Sequence, residues 1–201
     1  VASRRGARIP SSMQHFRKLR ITGPGAQPYA LDQPMFVYDR NMLLATLEPV
    51  PLLKSGTEIH VESFNPTHLV RQDYRHVGRL IFLEICAFVS ERFPQIQAIN
   101  FAFSRRVDIL GGGEQQAMER AEAMDRIGAI NVRIRPKPNA LPGHFVVSGV
   151  WAYSEQNVAA LKQVLEEERA LYRKRPIGSR TPDRSKVLGA IRQWVTGRAA
   201  A

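Results

Sequence analysis

The chain has 201 residues, with 29 Lys or Arg, 18 Asp or Glu, five His and one Cys. A hydrophobic fraction of 44% is enough to fill a core and excludes a fully disordered chain, and the single cysteine, Cys86, excludes an internal disulfide and a Cys-rich zinc module. The net charge of +11 sits at the ends: residues 1–20 carry six bases and no acid, residues 169–201 carry nine bases against Asp183, and the body between them is slightly acidic.

In chain order, residues 1–34 are rich in Arg, Ser, Gly and Pro and read as an irregular basic extension. Val1–Arg20 has no apolar signal core, and the apolar stretches further on are interrupted by Arg79, Glu84 and Glu91, so neither a secretory peptide nor a membrane span is expected. A cytoplasmic protein is the expectation that follows. Strands are predicted over 35–39, 42–53 and 57–64, with a turn at Asp39-Arg40-Asn41 and with Pro49 and Pro51 ending the second strand or pushing it to an edge. In the third strand Ile59 and Val61 alternate with His60 and Glu62.

A loop then leads into a helix from Val77 to about Phe93, apolar on most sides and stopped by Pro94. A strand over 97–104 follows, then Gly111-Gly112-Gly113 and a second helix, about 114–127, stopped by Gly128. Strands are predicted over 130–136 and 144–153, and Ser154 is placed to N-cap a third helix over 155–173. The basic segment 176–201 ends in a short amphipathic stretch, Ser185 to Val195. This order predicts an α/β domain over 35–175, with a mixed, mostly antiparallel central sheet flanked by helices.

The segment with chemical content is the third strand, its loop and the long helix. The first backbone N–H groups of a helix lack intrahelical partners and lie at the positive end of its dipole. A glycine in the first turn lets an anion approach them. Here Gly78 opens the helix, with Arg71, Arg75 and Arg79 around it.

Arg75-His76-Val77-Gly78-Arg79-Leu80 resembles the acyl-CoA-binding motif of the GCN5-related N-acetyltransferase (GNAT) superfamily, Arg/Gln-x-x-Gly-x-Gly/Ala, with Leu80 at the last fixed position. The later segment Ala121–Ile134 resembles the family's Tyr-x-x-x-Gly-Phe region, with Met124 at the Tyr, Gly128 retained and Ala129 at the Phe. The resemblance covers about 35–153. It implies an acyl-CoA N-acyltransferase-like fold and transfer of an acyl group from acetyl-CoA or another acyl-CoA to a small-molecule or protein amine. It also implies that Arg75, Val77, Gly78, Arg79 and Leu80 hold the pyrophosphate and that the thioester lies against strand 58–64. Glu62 is then the favoured general base, with Glu58 on the same face at period two. With Met124 at the Tyr position, the acid comes from elsewhere, with Tyr153, Tyr74 or a water as candidates.

Two other functions were weighed. An acyl-homoserine-lactone synthase resembles this chain in length and in the strand Glu58–Phe64, without the family's Arg. A catalytically inactive binding module would use the basic tails on an acidic partner or nucleic acid. His60, His68 and His76 recur at a spacing of eight across a strand, a loop and a helix start, which predicts isolated histidines and no metal site.

Overall fold

The structure is a computed structural model and describes residues 18–62, 65–67, 77–104 and 113–174. Arg71, Tyr74, Arg75, His68, His76, Gly111, Gly112 and the amphipathic stretch 185–195 lie outside the described residues. Strands β1 (Arg20–Thr22), β2 (Met35–Asp39), β3 (Met42–Leu47) and β6 (Asn65–Pro66) form one sheet in the order β1-β2-β3-β6. Strands β4 (Leu52–Leu53), β5 (Glu58–Val61), β7 (Ala98–Ser104), β8 (Ile130–Pro136) and β9 (Phe145–Ala152) form a larger sheet in the order β4-β5-β7-β9-β8. The helices are α1 (Val77–Arg92), α2 (Gly113–Arg126) and α3 (Glu155–Lys174). The mixed α/β class is therefore as expected, and β5–β7 is the parallel pair in an otherwise antiparallel set of ladders among the described residues.

Local chemistry fixes most boundaries. Pro49 and Pro51 lack N–H groups, and the predicted strand 42–53 is accordingly two strands that pair into different sheets. Gly128 adopts φ +79° after α2, and the Gly128 and Ala129 amides donate back to the Asp125 and Met124 carbonyls at 2.9 and 3.0 Å. Ser154 caps α3, its Oγ accepting from the Asn157 amide at 3.1 Å.

The two faces of the larger sheet differ. One carries Ile59, Val61, Ile99, Phe101, Val147 and Trp151, all essentially fully buried. Helix α1 closes over it, with Phe82 edge-on to Phe101 and Phe103 at ring separations of 5.5 and 4.7 Å. Trp151 Nε1 donates to the Ile127 carbonyl at 2.7 Å, tying in the end of α2. Gly149 is required here, because a Cβ would stand 2.7 Å from Phe101 Cζ. The strand registers place Glu58, His60, Asn100, Ala102, Ser104, Val150, Ser148, Val146, Arg133 and Arg135 on the opposite face. These residues are half-buried or exposed throughout.

Helix α1 is also joined to α3 by buried charges. Arg169 Nε and Nη2 donate to the two carboxylate oxygens of Glu84 at 2.8 and 2.7 Å, and Nη1 donates to Glu166 at 2.6 Å. Burial works against the charged guanidinium, but these carboxylates outweigh it and its pKa is raised. The Leu19 amide adds a bond to Glu84 Oε1 at 3.4 Å, so the carboxylate has partners on α3 and on the segment before β1.

Candidate active site

The chain changes sheets directly after β5. Val61 pairs with Phe101 in the larger sheet, whereas Asn65 and Pro66 pair with Thr46 and Ala45 in the smaller one. The Thr67 amide continues that departure by donating to the Leu44 carbonyl at 2.9 Å. Strand β7, by contrast, runs on to Ser104, paired only with β9 among the described residues beyond Phe101. Two parallel strands thus part, leaving a gap beside Ala102–Ser104 among the described residues.

The Tyr153 amide donates to the Gln97 carbonyl at 2.8 Å, which sets the hydrogen-bonded pairs of β7 and β9 at alternate residues: 97/153, 99/151, 101/149 and 103/147. The backbone of Ala102 and Ser104 therefore points away from β9, toward the side that β5 has left. The same parity turns Asn100 toward β5, and its side-chain Nδ2 donates to Glu58 Oε2 at 2.8 Å.

The expected site residues are distributed around this gap unevenly. Glu62 directly follows β5 and is exposed. Glu58 Oε1 accepts from Lys54 Nζ at 2.6 Å, and Oε2 accepts from Asn100. The Lys54 and Asn100 hydrogen bonds hold the Glu58 carboxyl below its usual range, which makes it a weaker base than an unpaired carboxylate. Val77, Gly78, Arg79 and Leu80 form the first turn of α1, with Gly78 half-buried and Val77 and Leu80 in the core. Arg75 lies outside the described residues. The Arg79 guanidinium faces α3, where Nη2 meets the buried Glu168 carboxylate at 2.5 Å.

Tyr153 stands apart from these residues. It pairs with Gln97 at the beginning of β7, the strand end remote from Ser104. Its ring packs edge-on against Trp151 at 4.7 Å. Burial first, and then the neighbouring Cys86, push its phenol well above the ordinary range. The structure does not bring it to the gap. Met124 is a core residue of α2, and burial pushes the Cys86 thiol up as well. Asn100, Ala102 and Ser104 were not singled out from the sequence. Their signal was the alternation in 97–104, which marks one face without saying that β5 stops short of it.

A recess of about 640 Å³ also opens between the β2–β3 turn, α1 and α3, lined in part by Asp39, Met42, Leu80, Glu84, Arg169 and Tyr172. Two pairs of its polar groups meet, Tyr172 Oη donating to Asp39 Oδ2 at 3.0 Å and Arg169 Nε to Glu84 Oε1 at 2.8 Å. Among the described residues no cluster of three or more His, Cys, Asp or Glu could hold a metal ion, and no helix is long and apolar enough to cross a membrane.

No family model matches the chain, and no curated protein matches it in sequence. Among solved structures it is similar to a protein from Desulfovibrio desulfuricans described as a putative acetyltransferase of the GNAT family. The two share 14% identity over 60% of this chain and 68% of that one, with a TM-score of 0.35.

Proposed function

We propose that the chain is an N-acyltransferase that moves an acyl group, acetyl or a related one, from a coenzyme A thioester to an amine. The observation that supports this reading is the parting of β5 from β7, with α1 as the helix that follows β6 in the chain. The parted strands supply backbone hydrogen-bonding groups for an extended amide-bearing chain, and the first turn of α1 supplies backbone amides without intrahelical partners for an anion. Gly78 presents no side chain there. A bound acyl thioester would contribute an activated carbonyl.

Within that reading the protein's own groups divide the work. Backbone amides of Val77, Gly78, Arg79 and Leu80 face the phosphates, and Arg75, one turn earlier in the motif, adds charge. Arg79 acts through its backbone, since its guanidinium is committed to Glu168. Glu62, exposed beside the gap, accepts a proton from the ammonium form of the acceptor and leaves a lone pair free to attack. Glu58, held by Lys54 and Asn100, fixes the strand pair instead of taking the proton. The departing thiolate takes its proton from solvent, as Tyr153 lies at the other strand end.

The test is thiol release from acetyl-CoA by the full chain against a panel of amines. Thiol release with at least one amine is expected. Glu62→Gln is expected to lower kcat by about 10²–10⁴-fold while leaving coenzyme A binding at the parent level. No release with any amine, or undiminished turnover in Glu62→Gln, contradicts the proposal or its base respectively.

A further inference from the structure

The edge of the larger sheet at β8 has features that the transferase reading does not use. The Lys137 amide donates to the His144 carbonyl at 2.8 Å, which fixes 137/144, 135/146 and 133/148 as the hydrogen-bonded pairs with β9. The Ile134 N–H and C=O therefore point outward from the sheet, as does the Pro136 carbonyl. The ladder of β8 is to β9 alone among the described residues.

Side chains along this edge alternate in chemistry. Arg133, Arg135 and Lys137 fall on one face at period two, and no ion pair holds any of them among the described residues. Ile134 lies on the other face and is 36% exposed, whereas Ile130, opposite Val150 at the strand start, lies on the cationic face and is 56% exposed. A second copy of the chain pairing antiparallel along this edge would set the cationic row against itself, because directly opposed residues share a face. The complementary occupant is a strand with acidic residues opposite Arg133 and Arg135 and an apolar residue over Ile134.

We infer that β8 is a docking edge for an extended protein segment of alternating acidic and apolar residues, which adds to the larger sheet as a sixth strand. Backbone pairing at Ile134 supplies affinity, and the cationic row on one face with the Ile134 side chain on the other sets the pattern that is read.

The test uses the full chain and a fluorescein-labelled octapeptide of alternating Glu and Val, followed by anisotropy. A peptide of the same composition with its four Glu and four Val in separate blocks carries equal charge. Arg133→Glu/Arg135→Glu is expected to weaken binding of the alternating peptide at least about tenfold. Arg92→Glu/Lys162→Glu, which makes the same charge change at exposed sites elsewhere, is expected to leave it unchanged. Amide hydrogen exchange at Ile134 slows when the alternating peptide is bound. Absence of binding, equal binding of the blocked peptide, equal loss in both double variants, or unchanged exchange at Ile134 overturns the inference. So does a single-stranded oligonucleotide that binds more tightly than the peptide and loses that binding in Arg133→Glu/Arg135→Glu.

Discussion

The two faces of the larger sheet are built on different principles. The helix-covered face is closed by aromatic packing of Phe82, Phe101 and Phe103, and behind it lies the buried Glu84–Arg169 pair that joins α1 to α3. The opposite face carries short, polar or cationic side chains from Glu58 across to Arg135, all but Ala98 half-buried or exposed. The gap between β5 and β7 opens where these two environments meet. The difference teaches that stability and candidate chemistry are separated across one sheet, so a substitution on either side has its own signature.

The sharpest way to break this comparison is at Glu84. Arg169→Leu leaves the buried Glu84 carboxylate with only the Leu19 amide and is expected to cost about 3–5 kcal/mol in urea unfolding. The double variant Glu84→Leu/Arg169→Leu is expected to recover most of that loss, since apolar replacement of a whole buried pair is often neutral. Additive losses in the double variant would show that packing, and not the unpaired charge, carries the cost.

A smaller effect is expected at the start of α3. Ser154→Ala removes the acceptor for the Asn157 amide and is expected to cost about 1 kcal/mol, read as a lower urea midpoint. Because α3 holds α1 by its far end, this change should leave any binding at the gap intact.

The smallest effect belongs to the bare face and depends on pH. Glu58 has a folded-state pKa below its unfolded value. Its contribution is therefore present above the ordinary carboxylate range and is lost as pH falls through the lower folded value. Between pH 7 and pH 3 the parent should lose more stability than Glu58→Gln does. Equal slopes would mean that the Lys54 and Asn100 contacts do not persist in solution.

Much of this arrangement was legible in the sequence, for physical reasons that can be named. Proline at 49, 51 and 94, glycine at 128 and the Ser154 cap act locally, and the predicted boundaries of β2, β8 and α3 agree with the structure to within a residue. What depends on pairing across the fold was not legible. Arg20–Thr22 and Asn65–Pro66 are strands only because β2 and β3 offer them edges. Glu84, set among apolar residues of α1, was visible as an interruption, but its partner is 85 residues away. Arg79 read as a phosphate ligand because the sequence does not contain the information that α3 returns Glu168 to it. Tyr153 sits in an alternating strand, and which strand end faces the gap is fixed only by its register with Gln97.

The central claim is that the first turn of α1 and the parted strands bind an acyl thioester. Isothermal titration calorimetry of the full chain with acetyl-CoA tests it most directly when run beside Gly78→Glu. A glutamate in the first turn favours the helix through its dipole but sets a negative charge where the phosphates would lie. The account predicts saturable binding by the parent and at least about tenfold weaker binding by the folded variant. No binding by the parent, or equal affinity in the two, would contradict it.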